Sequence, residues 1–161
     1  MLVAVMLWNC KGDLSVKDDT IYSAYKPVLM EKSRITTDLF MMKPRSKAHI
    51  VKTAVMGNYL LSVEFGLGFH IHDLSDKMNP LEKGFFQLPG CIDLEVNNNT
   101  IYANNLNDLV VIDMTDIADP RVINRQEKVF DMVIKAPDGL LVRKGLRDIP
   151  EGTAIISYEK L

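Results

Sequence analysis

The chain has 161 residues, of which 47% are hydrophobic and 25% charged, and its formal net charge is −2. This length and hydrophobic content support one compact domain with a real core and exclude a disordered tail. A pI near 5.9, with no cluster of lysine and arginine on one predicted element, excludes nucleic acid as a partner.

Residues 1–10 are apolar up to Cys10, after which the chain turns polar at Lys11. This pattern resembles the end of a bacterial lipoprotein signal peptide, in which the cysteine becomes the lipidated first residue. Leu7 fits that pattern, whereas Trp8 and Asn9 replace its usual small residues and the basic n-region is missing. An ordinary hydrophobic amino-terminal strand is the alternative, and the residues alone leave both interpretations open.

The next segment, residues 11–47, is predicted to be a tether with a short helix. Residues 11–25 are polar and lack a stable period, while residues 28–42 could hold a helix that ends before Pro44. Methionines in this segment fit gap-filling core contacts better than a copper or cofactor site, because no converging ligands accompany them.

From residue 48 to residue 161, short apolar runs alternate with turn residues, which predicts a series of β-strands. The predicted strands are 50–55, 59–63, 69–72 and 81–88 in a first unit, 91–96, 101–104, 109–112 and 121–129 in a second, and 131–135, 140–143 and 153–158 in a third.

Two copies of one phrase, residues 68–80 and 108–120, mark the first two units as a repeat. The equivalent pairs, each 40 positions apart, are Asp73 and Asp113, Asp76 and Asp116, and Pro80 and Pro120. We expect the aspartates to accept backbone N–H bonds in tight turns. Each proline should begin a strand at the outermost edge of its sheet, because it has no N–H for a ladder.

Four-stranded units of this length are typical of β-propeller blades. The predicted fold is therefore all-β, a partial propeller of about two and a half blades. Propellers close with about four to eight blades, so this chain would leave sheet faces uncovered and edges unpaired. Truncation, an open arrangement and self-association through unpaired sheet edges are the alternatives.

The chain resembles the LVIVD repeat, a propeller-type repeat of bacterial surface and secreted proteins, over roughly residues 22–136. The motifs that carry the resemblance are Gly57–Tyr59, Gly68–Asp73, Asn79–Pro80, Leu88–Gly90 and Leu109–Asp113. Residues 25–30, Asp93 and Val129–Phe130 are similar to a subgroup of LVIVD-containing lipoproteins. The resemblance implies a location in the cell envelope, at the outer membrane or cell surface, and lipidation of Cys10.

His70 and His72 occupy positions i and i+2 of a predicted strand, so their side chains point to the same face. With Glu64 or Asp73 as a third ligand they could hold a metal ion. They replace Val110 and Ile112 of the second copy, which are packing positions, so hydrogen-bonded core histidines are the favoured interpretation.

Three polar residues are candidates for ligand binding. Asp93 lies in a predicted innermost strand that would face a propeller channel, and Asn104 and Asn105 belong to an asparagine-rich loop whose amides suit carbohydrate hydroxyls. The repeated aspartates could instead form a paired-acid glycosidase site, but their recurrence favours turn chemistry. Cys91 enters an apolar strand and is predicted to be buried and unreactive.

These observations favour a non-catalytic binding or scaffold lipoprotein of the cell envelope, without a cofactor, that recognises an unknown protein or carbohydrate. One alternative is an enzyme, a metal-assisted hydrolase or lyase that uses His70 and His72. Another is a fragment of a longer propeller protein.

Overall fold

A computed structural model describes residues 22–142 and 148–161 of the chain. About half of these residues form strands in three antiparallel sheets and only one short helix is present among them, which confirms the all-β prediction. None of the described sheets closes on itself. Cys10, residues 1–10 and the first part of the predicted tether lie outside the described residues.

Eleven strands and one short helix make up the described part of the chain. In order they are β1 (Tyr25–Glu31), α1 (Lys32–Thr37), β2 (Phe40–Met42), β3 (Ile50–Met56), β4 (Tyr59–Glu64), β5 (Gly68–Asp73), β6 (Leu81–Gln87), β7 (Leu94–Asn97), β8 (Thr100–Asn105), β9 (Asp108–Asp113), β10 (Arg121–Gln126) and β11 (Thr153–Lys160).

The four strands of the first predicted unit are joined by β2, from the segment predicted to be a helix, in a five-stranded sheet of order β2-β6-β5-β4-β3. Its first hairpin turns at Gly57, which has a φ of 57° that an L-residue adopts only with strain. Because β2 and β3 lie at opposite edges, residues 43–49 must run from one edge of the sheet to the other. We call this segment the crossing loop.

The second unit forms a four-stranded sheet in the order β10-β9-β8-β7. One face of each sheet contributes to a shared apolar core, so the two sheets pack face to face. The fully buried core residues include Leu61, Val63, Phe69, Ile71 and Phe86 from the five-stranded sheet, and Leu94, Ile101, Ala103, Val110 and Ile112 from the four-stranded sheet.

The third sheet pairs the two ends of the described chain. Strand β1 runs antiparallel to β11, from Tyr25 opposite Lys160 to Glu31 opposite Thr153. The Ser157 hydroxyl donates to the Phe65 carbonyl oxygen at 2.5 Å, which fastens this small sheet to the β4–β5 turn. The β1–β11 sheet, whose strands are far apart in sequence, is thus attached to the five-stranded sheet.

The repeated aspartates form the predicted turns. Asp73 and Asp113 each accept an N–H bond at 2.9 Å from the residue two positions on, and Asp76 and Asp116 do the same. The hydrogen bonds to the side chain and backbone of Thr115 lower the pKa of Asp113 below its usual value, and those of Ser75 do the same for Asp73.

Several local predictions need correction. The helix spans only Lys32–Thr37, because the residues before it pair with β11 and those after it pair with β6. Strand β10 lies at an edge as predicted, but β6 does so only at its start, since Phe85–Gln87 pairs with β2.

The third predicted unit is mostly irregular. Residues 131–135 form no strand; instead the Met132 N–H bonds to the side-chain oxygen of Asn107, in the β8–β9 turn. The region predicted as strand 140–143 contributes one isolated bridge, at Leu141, and Arg143 lies outside the described residues.

Candidate functional site

An apolar groove of about 480 Å³ opens on the four-stranded sheet. Side chains alternate along a strand, so Tyr102 on β8 and Leu109 on β9 point away from the shared core. Phe130 and Met132, from the irregular segment after β10, complete its apolar walls. The groove also contains two of the three residues predicted to bind ligand, Asp93 and Asn104.

Acidic side chains form the rim of this groove. Asp93 and Glu95 have side chains that are 61% and 79% exposed, and both contact Lys52, at 2.5 and 2.7 Å. The hydrogen bonds that Lys52 donates to Asp93 and to Glu95 raise the pKa of Lys52, which therefore stays charged. Two carboxylates share one cation, so the rim keeps a net negative charge.

Asn104 lies below this rim and acts as a backbone cross-link. Its side-chain oxygen accepts N–H bonds from Ile92 and Asp93, both at 2.9 Å, and its amide nitrogen donates to the carbonyl oxygens of Gly90 and Leu106. The side chain holds the start of β7 against the end of β8. Its hydrogen-bonding capacity is fully used within the protein.

Asn105 is buried on the opposite face of β8 from Asn104. Its amide nitrogen donates to the Pro89 carbonyl oxygen at 2.6 Å, and its side-chain oxygen has no hydrogen-bond partner among the described residues. The structure thus separates Asn105 from the groove that holds Asp93 and Asn104.

A polar cluster lies on the face of the five-stranded sheet that points away from the shared core. His70 is fully buried, with Nε2 at 2.9 Å from a Glu64 oxygen and Nδ1 at 3.1 Å from a Glu82 oxygen. Each ring nitrogen thus lies within hydrogen-bond distance of a different carboxylate. His70 therefore works as a buried cross-link between two carboxylates.

The crossing loop covers this cluster. The Arg45 guanidinium lies 4.9 Å from the centre of the Phe85 ring and 3.6 Å from Glu64. Beside it, a cleft of about 400 Å³ opens between the loop and the β1–β11 sheet, with His49 and Tyr158 in its lining. Both histidines are buried on this face of the sheet.

His72 is the less satisfied of the two histidines. It is 6% exposed, its Nδ1 has no hydrogen-bond partner among the described residues, and its Nε2 lies 4.0 Å from Glu82. Desolvation, followed by the charge of Lys47, lowers the pKa of His72. Within the described ranges, no group of three or more His, Cys, Asp or Glu side chains is arranged to hold a metal ion.

The lowered pKa predicts that acid destabilises the fold through His72. The neutral ring is favoured when buried, so its contribution is complete above its unfolded pKa of about 6.5 and is lost as the pH falls through the lower folded value. Protonation would place a charge near His70 and Lys47, with Glu82 as the nearest carboxylate.

The measurement is the free energy of unfolding in urea at about pH 7.5 and about pH 5. His72→Leu should flatten the pH dependence relative to the unchanged chain. His49→Gln, at an exposed position on the crossing loop, is the control and should retain the slope. Identical slopes for all three proteins would show that His72 does not titrate in this range.

Cys91 is buried, as predicted, and burial raises the pKa of its thiol to about 12, which keeps it protonated and a poor nucleophile. Local sequence reasoning missed four residues that other elements bring to these sites. They are Tyr102 in the groove, Lys52 at its rim, and Arg45 and Glu82 at the polar cluster. The alternation of polar Ser62, Glu64, His70 and His72 within two apolar strands was the available signal.

Comparison of this chain with protein-family models, curated proteins and solved structures finds no match. No helix of the described residues is long and apolar enough to cross a membrane. The functional interpretation therefore depends on the residues and their geometry.

Proposed function

We propose that this chain is a non-catalytic binding or scaffold protein of the bacterial cell envelope, of the LVIVD-repeat, propeller-like type. The observation that carries the proposal is the repeat itself. Two units with the same Asx turns form two sheets stacked face to face, with a groove on the outward face of the second. Stacked sheets of this kind use their surfaces for recognition.

The groove is the part of this protein that would contact a ligand. Aromatic Tyr102 and Phe130 with aliphatic Leu109 give it an apolar floor, while Asp93 and Glu95 add negative charge at the rim. Apolar pockets with a few polar groups at defined positions are typical binding sites. We assign ligand binding to Asp93. We assign Asn104 a supporting role, because its four hydrogen bonds hold the backbone on either side of the groove rim in place.

The polar cluster favours a structural role over metal-assisted hydrolysis. Both ring nitrogens of His70 already face carboxylate oxygens, and His72 lies under the crossing loop. A hydrolytic metal centre needs converging ligands and an open coordination position. The contacts of His70 instead connect neighbouring strands of one sheet.

Attachment to a membrane through a lipid on Cys10 is the second half of the proposal. We expect radiolabelled palmitate to label the full-length chain in bacterial cells. The Cys10→Ala variant should not be labelled. Cys91→Ala is the control, because the Cys91 thiol is buried and should not affect labelling. Equal labelling of all three proteins would contradict the proposed lipid anchor on Cys10. It would leave the proposed role of the groove unaffected.

A further inference from the structure

The groove face of the four-stranded sheet is equivalent, by the 40-residue repeat, to the face of the five-stranded sheet that is buried in the shared core. Phe69 and Ile71 on β5 lie in the shared core, beneath the four-stranded sheet. Forty positions later, Leu109 and Val111 lie on the outward face of the four-stranded sheet, and both are partly exposed. The face that one unit buries against its neighbour is therefore open in the next unit.

The groove rim at one end of the stack and the crossing loop at the other carry opposite charge. At one end, the groove has Asp93 and Glu95 with only Lys52 between them. At the other end, the crossing loop contains three cationic side chains in seven exposed residues and no acidic one. Lys43 and Lys47 form no ion pair with any described residue, while Arg45 contacts buried Glu64.

We propose that a second copy of this chain occupies the groove face, head to tail, with the crossing loop of one copy against the acidic rim of the other. Opposite potentials on the two ends favour this orientation and oppose like ends meeting. The contact also supplies the layer that the repeat lacks at its open face. A head-to-tail contact closes into a ring or continues as a filament, depending on the rotation between copies.

This inference rests on the propeller-like stacking proposed above but not on the lipid anchor. The full-length chain carrying Cys10→Ala is therefore the reference protein, and its mass in solution is measured by sedimentation over a wide concentration range. We expect a concentration-dependent assembly that weakens as salt is added, because the contacts are partly exposed ion pairs. A monomer at every concentration would overturn the proposal, whatever palmitate labelling shows.

Charge reversal tests the orientation. Lys43→Glu with Lys47→Glu, and separately Asp93→Lys with Glu95→Lys, should each weaken association about tenfold or more. An equimolar mixture of the two variants should assemble again, because each reversed end then meets a complementary one. The control is Lys77→Glu with Arg121→Glu, which makes the same charge change as the loop variant at two exposed positions, one in the first Asp-rich turn and one at the start of β10, and should assemble like the reference.

Unchanged association of the loop and rim variants, or a mixture that remains monomeric, would show that these two surfaces do not meet. Circular dichroism of each variant checks that the fold is retained. The salt dependence of the reference protein gives a measurement that needs no substitution at all.

Discussion

Replacing Gly66 with alanine should lower the free energy of unfolding by about 3 kcal/mol. Gly66 has a φ of 73°, and a Cβ built there would collide with the carbonyl oxygen of Ile156 on β11. The same residue bonds to Cys91 through its N–H, at 2.7 Å, and to Gly90 through its carbonyl oxygen, at 2.8 Å. The two-stranded sheet, the β4–β5 turn and the connection between β6 and β7 thus meet at this one glycine.

A methyl group at this position must separate β11 from the β4–β5 turn, because neither backbone has room to yield. Urea unfolding of the Gly66→Ala variant measures the loss. Gly57→Ala is the matched control, since Gly57 also has a positive φ but nothing lies within 4 Å of the added methyl. Its cost should be about 1 kcal/mol. If the two variants lose the same free energy of unfolding, the strain of a positive φ explains the effect and the collision with β11 does not.

Replacing Asn104 with alanine should cost about 2–4 kcal/mol. The substitution removes the acceptor for the N–H groups of Ile92 and Asp93 and the donor to the Gly90 carbonyl oxygen. These groups lie at a partly buried corner, where water replaces the lost bonds poorly. We also expect Asp93 to lose its fixed position at the groove rim.

Asn97→Ala provides the control, because Asn97 is an exposed asparagine on the neighbouring strand β7. It should change stability by no more than about 0.5 kcal/mol. Hydrogen exchange of the Ile92 and Asp93 amides in the Asn104→Ala variant gives a local measurement. If exchange and stability match those of Asn97→Ala, Asn104 is not the cross-link that its contacts indicate.

Strand identity in the two repeats was predictable because the signals are local. The apolar runs at 59–63 and 109–112 have turn-forming residues beside them, and the structure places β4 and β9 there. The Asx turns followed from Asp73 and Asp113 in the same way, since an aspartate bonds to N–H groups two residues away. Local chemistry decided these elements.

The remaining elements depend on distant partners. Strand β1 forms because β11, more than a hundred residues later, supplies its ladder, and residues 131–135 stay irregular because Asn107 binds their backbone. No periodicity within either segment carries that information. The candidate site divides similarly. Asp93 could be identified from its predicted strand, whereas Tyr102 reaches the groove through the pairing of β8 with β7, and Lys52 reaches its rim from the other sheet.

The five-stranded sheet has two sides of different chemistry. One is sealed by Phe69 and Phe86, which stack on each other in the apolar core, while the other is held by polar contacts of Glu64 with His70 and Arg45. Because the Arg45 side chain is partly exposed, added salt screens its contact with Glu64 and should loosen the crossing loop before it disturbs the apolar layer beneath.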